Sequence, residues 1–151
     1  MDFTRDNILL DVKAASKEDI LLEMSEYAKS LGFIRNTEEV YEAFKARELE
    51  YSTGLQDGFA IPHAKTDAVL VPTVLYARSE AVLDWETFDD NGVKHVFALL
   101  VPKKDAGTTH LVMLSKLATA LMEEDFKEKV KVTTDVDSLA KIIKNEMQGV
   151  G

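Results

Sequence analysis

Apolar residues in the first part of the chain form one short run and then recur at helical spacing. Residues 8–10 make up the run and predict a first strand. Ser16, with Asp19 three residues later, resembles a capping box and predicts the start of a helix. Gly32 predicts the end of that helix. Between these points the predicted inward face consists of Ile20, Met24, Tyr27, Ala28 and Leu31.

A second helix is predicted from Thr37 onward. Thr37 is a favourable N-cap, and the two glutamates that follow it suit the positive end of the helix dipole. Val40 and Phe44 form the apolar face that we expect to pack inward. Arg47 then falls near the C-terminal end of this helix.

The middle of the chain predicts strands. Residues 73–77, 81–83 and 96–101 are apolar runs, and each predicts a separate strand. Asn91 and Gly92 form a strong turn signal before the last run, which predicts an antiparallel connection. The last run is apolar on both faces, so we expect it at the centre of a covered sheet.

Three further helices are predicted in the C-terminal part. Residues 107–109 predict the start of a helix that the two threonines at positions 108 and 109 would cap. Residues 124–131 predict a short exposed helix, and Thr134 or Asp135 is expected to cap the last one. Helices before and after a central set of strands predict an α/β fold, a three-layer α/β/α sandwich with a central mixed β-sheet. Residues 1–151 are expected to form a single domain.

Composition agrees with one soluble domain. The 151 residues are 46% hydrophobic and 30% charged, and they include no cysteine. Disulfides and thiolate chemistry are therefore excluded. No stretch approaches the roughly 20 apolar residues that a membrane helix needs, and the first residues lack the apolar segment of a secretory signal. We expect a cytoplasmic protein.

The formal net charge of −9 narrows the class of partner. A nucleic-acid-binding domain should be basic, and so should a domain that binds an anionic membrane surface. A basic protein partner fits better, because complementary fields speed the encounter. The charge is explained equally well by solubility alone.

His63 is the first candidate for chemistry, because a neutral imidazole can act as a nucleophile near pH 7 without a helper base. Pro62 has a fixed φ and favours an extended Ile61, so the backbone that leads to His63 has little conformational freedom. Gly54 and Gly58 allow tight turns that could bring peptide N–H groups near an anion. From these features alone, an ordinary loop histidine is an equal alternative.

Two other side chains could contact an anion at His63. His110 is expected in the first turn of its helix, where the dipole favours a neutral ring that donates to a phosphoryl oxygen. Its alternative role is a polar helix start. The guanidinium fork of Arg47 matches two phosphoryl oxygens. In the alternative role, Arg47 only stabilises the negative end of the helix dipole. His95, at the entrance of the apolar strand, is expected to be a strand-end or surface histidine.

Three motifs resemble a known family. Residues 47–55 read Arg-Glu-Leu-Glu-Tyr-Ser-Thr-Gly-Leu, residues 58–65 read Gly-Phe-Ala-Ile-Pro-His-Ala-Lys, and residues 110–118 read His-Leu-Val-Met-Leu-Ser-Lys-Leu-Ala. With these motifs the chain resembles, over nearly its whole length, the type 2 enzyme IIA domains of the bacterial sugar phosphotransferase system. This is the fructose–mannitol family. Ala64 replaces a glycine that the family often has. This difference only restricts the φ and ψ angles that the backbone can adopt at this position.

The resemblance implies a phosphocarrier. His63 would be the phosphorylated histidine, with Arg47 and His110 beside it. The phosphoryl donor would be the phosphohistidine carrier HPr, and the acceptor a cysteine of a IIB component. The membrane would be involved only indirectly, through a IIC transporter, and neither a cofactor nor a metal is implied. The Asp84-Trp85 region leans towards the fructose branch of the family.

Three alternatives remain open. A regulatory protein of the nitrogen-related type would use the same phosphohistidine as a signal and act by binding other proteins. A metal hydrolase would use His63, His110 and a carboxylate, although the sequence lacks a HExxH-type spacing. A binding module without chemistry would not need His63.

Overall fold

The computed structural model describes residues 3–105 and 107–148. The helices and strands alternate irregularly along the chain, with most strands in its middle third. In chain order they are β1 (Ile8–Val12), α1 (Lys17–Ser30), α2 (Thr37–Glu50), β2 (Phe59–Ala60), β3 (His63–Lys65), β4 (Thr73–Leu83), β5 (Val93–Val101), α3 (Thr108–Ala120), α4 (Glu124–Val132) and α5 (Val136–Gln148).

The strands form one mixed sheet. Its order is β1-β4-β5-β2, and β3 also pairs with β5. The β4–β5 pair is antiparallel, as the Asn91-Gly92 turn predicted, and the other pairs are parallel. β2 and β3 pair with successive parts of β5, so together they make one edge strand that is interrupted at Ile61 and Pro62. A proline suits this place because it has no N–H for a ladder.

Helices cover both faces of the sheet, which confirms the predicted three-layer fold. α1 and α2 pack on one face, against alternate residues such as Ala64, Ala98 and Leu100. α3, α4 and α5 pack on the other face, against residues such as Leu99 and Val101. From residue 95 onward β5 is buried on both faces, as its unbroken apolar run predicted.

The predicted helix starts are right for α1 and α5 and wrong for α2. The Ser16 hydroxyl accepts a hydrogen bond from the Asp19 N–H at 3.1 Å, and a carboxylate oxygen of Asp135 likewise caps α5. The N-cap of α2 is Asn36, whose extended backbone lets its side-chain oxygen accept from the Glu39 N–H at 2.9 Å. Thr37, which we predicted as the cap, is the first helical residue.

Two further predictions need correction. Residues 73–77 and 81–83 belong to a single strand, β4, because a register irregularity between Arg78 and Leu83 lets the strand continue. The helix predicted as exposed, α4, buries three side chains, including Lys127. The ammonium of Lys127 is 2.5 Å from a carboxylate oxygen of Asp57. This ion pair holds the turn before β2 against α4.

Candidate functional site

His63 lies in a strand and not in the loop that we predicted. Side chains alternate along a strand, so His63 and Lys65 of β3 point to one face of the sheet and Ala64 to the other. His63 pairs with Leu99, and Leu99 belongs to the core beneath α3, α4 and α5. The strand therefore directs His63 towards the helical layer that carries His110.

A tight hairpin positions the residues that lead into β3. Asp57 and Gly58 have φ values of 57° and 84°, the left-handed conformation that both central positions of a type I′ turn require. The Phe59 N–H donates to the Gln56 carbonyl at 3.2 Å and closes the turn. Gly58 is the glycine whose freedom this geometry needs.

His63 and His110 form a pair. Their ring centroids are 5.2 Å apart and their planes are almost perpendicular, at 82°. Both side chains are buried, with 6% and 8% of their surfaces exposed. His63 Nε2 and His110 Nδ1 are buried and have no hydrogen-bond partner among the described residues. Buried polar atoms in folded proteins normally have partners, so two such atoms on adjacent rings indicate a site that binds a polar ligand.

Burial and positive charge keep both rings neutral at pH 7. Burial lowers the pKa of His63 to about 3, and electrostatic interactions with Arg47, His110 and Lys65 act in the same direction. Burial also lowers the pKa of His110, with further effects of Lys65 and Arg47. The lowered pKa agrees with the predicted neutrality of His110, and burial contributes more to it than the two nearby cations do.

The start of α3 agrees with the prediction, but its N-cap does not. The helix begins at Thr108, and the preceding residue is Gly107, which provides no side-chain cap. His110 is therefore the third residue of the helix and lies in its first turn, as predicted. Peptide N–H groups of a first turn have no partner within the helix and favour a nearby anion.

Arg47 reaches the site from the opposite helical layer. It is in the last turn of α2, and α2 lies against β3. Nη1 donates a hydrogen bond to the Tyr51 carbonyl at 2.8 Å, which fixes the guanidinium beside the segment that follows α2. Its charge acts on both histidine rings. The structure thus places all three predicted site residues in one region.

Sequence reasoning placed Lys65 near His63 but did not count it among the site residues. This exposed lysine lowers the pKa of both His63 and His110, and on His110 its effect exceeds that of Arg47. With Arg47 it makes the site positive in a protein whose net charge is −9. The sequence could have indicated this role, because Lys65 is two positions from His63, and residues two apart lie on the same face of a strand.

His95 is not a surface residue, contrary to the prediction, and it takes no part in this site. Its side chain is buried, its ring stacks on Phe59 with 4.8 Å between centroids, and Nδ1 is 2.7 Å from the Tyr76 hydroxyl. Burial, with the charge of Arg78, lowers the pKa of His95 to about 3. Its contacts on every side are those of a core histidine.

Two other findings concern the alternatives. Within residues 3–105 and 107–148, no group of three or more His, Asp or Glu side chains is arranged to hold a metal ion. In the same part of the chain, no helix is long and apolar enough to cross a membrane.

The sequence matches a family model over residues 1–146, described as the phosphoenolpyruvate-dependent sugar phosphotransferase system, EIIA 2. The chain belongs to this family. EIIA components are phosphotransferase components, and the mixed sheet between two helical layers is the EIIA fold.

Relatives within the EIIA family differ in their named roles. The chain is 40% identical to the fructose-specific EIIA component of Haloferax volcanii over 82% of this chain and 79% of the relative. It is 33% identical to the fructose-specific EIIABC component of Bacillus subtilis, covering 93% of this chain but 22% of that longer protein. The crystal structure of the nitrogen regulatory protein IIA-Ntr from Neisseria meningitidis superposes with a TM-score of 0.82 at 29% identity, covering 92% of this chain and 94% of that one.

Proposed function

We propose that this EIIA protein is a phosphocarrier that accepts a phosphoryl group from phospho-HPr on His63 and transfers it to a cysteine of a IIB component. The observation that carries the proposal is the pair of neutral, buried rings of His63 and His110, each with an unpartnered nitrogen. Arg47 and Lys65 add positive charge beside them. A dianionic phosphoryl group needs this combination of nucleophile, donor and cations.

The reaction is an in-line exchange. A lone pair of the neutral His63 ring, on Nε2, attacks phosphorus, and the N–P bond to the donor histidine breaks with its electron pair staying on the donor ring. In the second step a thiolate of the acceptor attacks phosphorus and the His63 ring leaves. Both steps exchange one activated phosphoryl bond for another, so positioning and charge stabilisation supply the catalysis.

The side chains around His63 have separate tasks. The fork of Arg47 binds two phosphoryl oxygens, and a ring N–H of His110 donates to the third. Lys65 stabilises the dianion at longer range. Nε2 of His63 is covered in the unbound protein, so partner docking must uncover it before transfer.

The ends of the elements that carry the site also expose apolar side chains. Leu49 and Tyr51, next to Arg47, are 88% and 78% exposed, and Leu111, next to His110, is 63% exposed. Exposed apolar residues rimmed by polar ones are typical of protein-binding surfaces. They support a protein donor and a protein acceptor. The named specificities of the Haloferax and Bacillus relatives support a fructose-type system, and the name EIIABC supports a IIB acceptor.

A second candidate function is regulatory. The match to IIA-Ntr of Neisseria meningitidis favours a protein whose phosphorylation state controls its binding to other proteins. Both functions need phosphorylation of His63, and they differ in whether the phosphoryl group is passed on to a IIB component.

The test is incubation of the purified protein with enzyme I, HPr and phosphoenolpyruvate. One acid-labile phosphoryl group is expected on the wild-type protein and none on His63→Ala. His95→Gln is the matched control and should be labelled normally. Labelling that persists in His63→Ala contradicts the assignment. Transfer onward to a panel of IIB proteins then separates transport from regulation, since a regulatory protein would retain the group.

A further inference from the structure

Glu48 follows Arg47 in the last turn of α2 and is hydrogen-bonded to two other segments. One carboxylate oxygen accepts from the Thr53 N–H at 3.2 Å and from the indole Nε1–H of Trp85 at 3.1 Å. The other oxygen accepts from the Thr53 hydroxyl. Thr53 and Trp85 are buried, with 6% and 4% of their surfaces exposed. This carboxylate therefore joins the end of α2 to the segment after it and to the segment between β4 and β5.

The segment that Glu48 holds is paired with the approach to His63. The Thr53 carbonyl accepts from the Ile61 N–H at 3.0 Å, and Gly54 forms a β-bridge with Ala60. On its other side, Gly54 has no room for a side chain, because an added Cβ would lie 2.2 Å from the Glu86 carbonyl oxygen. Displacing Thr53 would thus displace Ile61, two residues before His63.

The same segment also holds Arg47. The guanidinium donates to the Tyr51 carbonyl, which lies two residues before Thr53. Arg47 and Glu48 are neighbours in the chain, and both form hydrogen bonds with the backbone between α2 and β2. A change in the position of that stretch would move the guanidinium relative to the His63 ring.

We propose that Glu48, Thr53 and Trp85 form a positioning clamp for phosphoryl transfer, which holds the Arg47 guanidinium and the His63 strand in a fixed relative position. None of the three touches the phosphoryl group. The proposal rests on the proposed function, because it assigns these residues a role in that transfer. Its physical basis is that reacting groups misplaced by about 1 Å can slow a reaction by about a hundredfold.

The test compares Glu48→Gln with Glu50→Gln. Both substitutions keep the side-chain volume and remove one negative charge from the end of α2, but the exposed Glu50 has no part in the clamp. Glutamine keeps one acceptor oxygen but lacks the carboxylate charge that strengthens the bonds from the Thr53 and Trp85 N–H groups. Its NH₂ group forces the Thr53 hydroxyl to accept where it now donates, so we expect the clamp to loosen. Trp85→Phe is a second, milder variant, because it removes only the indole N–H donor and leaves an aromatic ring in place.

Two measurements are made on every variant, the transfer rate against phospho-HPr concentration and amide hydrogen exchange at Ile61. The indole N–H resonance of Trp85 is recorded as a third in Glu48→Gln and Glu50→Gln. In Glu48→Gln we expect the indole resonance to move, the Ile61 amide to exchange faster, and the rate at saturating donor to fall about tenfold to a hundredfold. The half-saturating donor concentration should change less than about twofold, because the docking surface is intact. Glu50→Gln should match the wild-type protein in all three.

A merely structural role predicts a different result. It would lower the melting temperature but leave the saturating rate of the folded protein unchanged, and that outcome overturns the proposal. So does an equal loss in Glu50→Gln. In the double variant, the rate losses of Glu48→Gln and Trp85→Phe should not add, because both substitutions disrupt the same hydrogen-bonded group. If Glu48→Gln does not fold, Trp85→Phe decides by the saturating transfer rate and by Ile61 exchange.

The clamp and the proposed function fail in distinguishable ways. A wild-type protein that takes no phosphoryl group from phospho-HPr refutes the function. The clamp is then judged by Ile61 exchange alone: faster exchange in Glu48→Gln than in Glu50→Gln supports it, and equal exchange refutes it.

Discussion

Moderate acid should destabilise this protein through two buried histidines. Burial lowers the pKa of His63 and of His95 from the usual value of 6.5 to about 3. In the unfolded chain both rings regain the ordinary pKa. Between pH 6.5 and pH 3 the unfolded state therefore binds protons that the folded state does not, and the free energy of unfolding falls as the pH falls. Above pH 6.5 both states are neutral and the effect vanishes.

The magnitude follows from the two pKa values. From pH 7 to pH 5, protonation of one unfolded imidazole lowers the free energy of unfolding by about 2 kcal/mol, while the folded ring stays neutral. Both rings are at most 6% exposed, so solvent screening reduces this little. The two histidines together contribute a loss of about 4 kcal/mol, a large part of the roughly 5–15 kcal/mol that stabilises a typical domain. Most carboxylates do not yet titrate in this window.

The assay is urea unfolding at several pH values between 7 and 5, for the wild-type protein, His63→Gln and His95→Gln. Each variant should lose somewhat less than half of the pH slope, whatever its absolute stability, because burial also lowers the pKa of His110, which adds to the slope in all three proteins. His95→Gln also removes the hydrogen bond to Tyr76, which is why the slope and not the midpoint is compared. A wild-type slope retained in His63→Gln, or an NMR titration of the His63 ring near pH 6.5, would refute the reasoning.

Three other expectations concern phosphoryl transfer. Arg47→Lys keeps the charge but loses the two-pronged contact, so acceptance from phospho-HPr should slow about tenfold with the fold intact; an unchanged rate in stopped-flow or rapid-quench assays contradicts the contact. His110→Ala removes one donor, and we expect transfer to slow by about one to two decades, with partial rescue in His110→Gln. Wild-type rates in both directions would leave His110 as a helix-start residue only. If the charge of −9 steers a basic donor, the second-order rate constant should fall several-fold as salt rises from about 20 to 500 mM. A flat profile would mean that the charge serves solubility.

Local rules determined the helix starts to within about one residue and the strands less closely. The two starts at Ser16 and Asp135 were predicted correctly, because a capping side chain acts within its own turn. At α2 the neighbours Asn36 and Thr37 are both good caps, and propensity does not decide between them. The split of β4 into two strands failed for a related reason. A bulge is a property of strand pairing, and the pairing partner β5 is distant in sequence.

For the candidate site, too, the sequence predicted the residues and the tertiary packing set their geometry. His63 was a candidate from its own neighbours, and family resemblance suggested that Arg47 and His110 lie beside it. The distance of 5.2 Å between two rings that are 47 positions apart is set by the packing of α3 on the sheet. The core location of His95 is equally tertiary, because its partners Phe59 and Tyr76 come from two other strands.

The sequence by itself determined the fold class and the family and predicted His63 as the reactive residue, since these depend on local periodicity and on motifs that are contiguous in the chain. Only the tertiary structure decided the electrostatics and the support of the site. Burial, which lowers the pKa of both site histidines, depends on the packing of α3 against the sheet, and these parts are distant in sequence. The contacts of Glu48 with Thr53 and Trp85 likewise join three segments that no short-range pattern brings together.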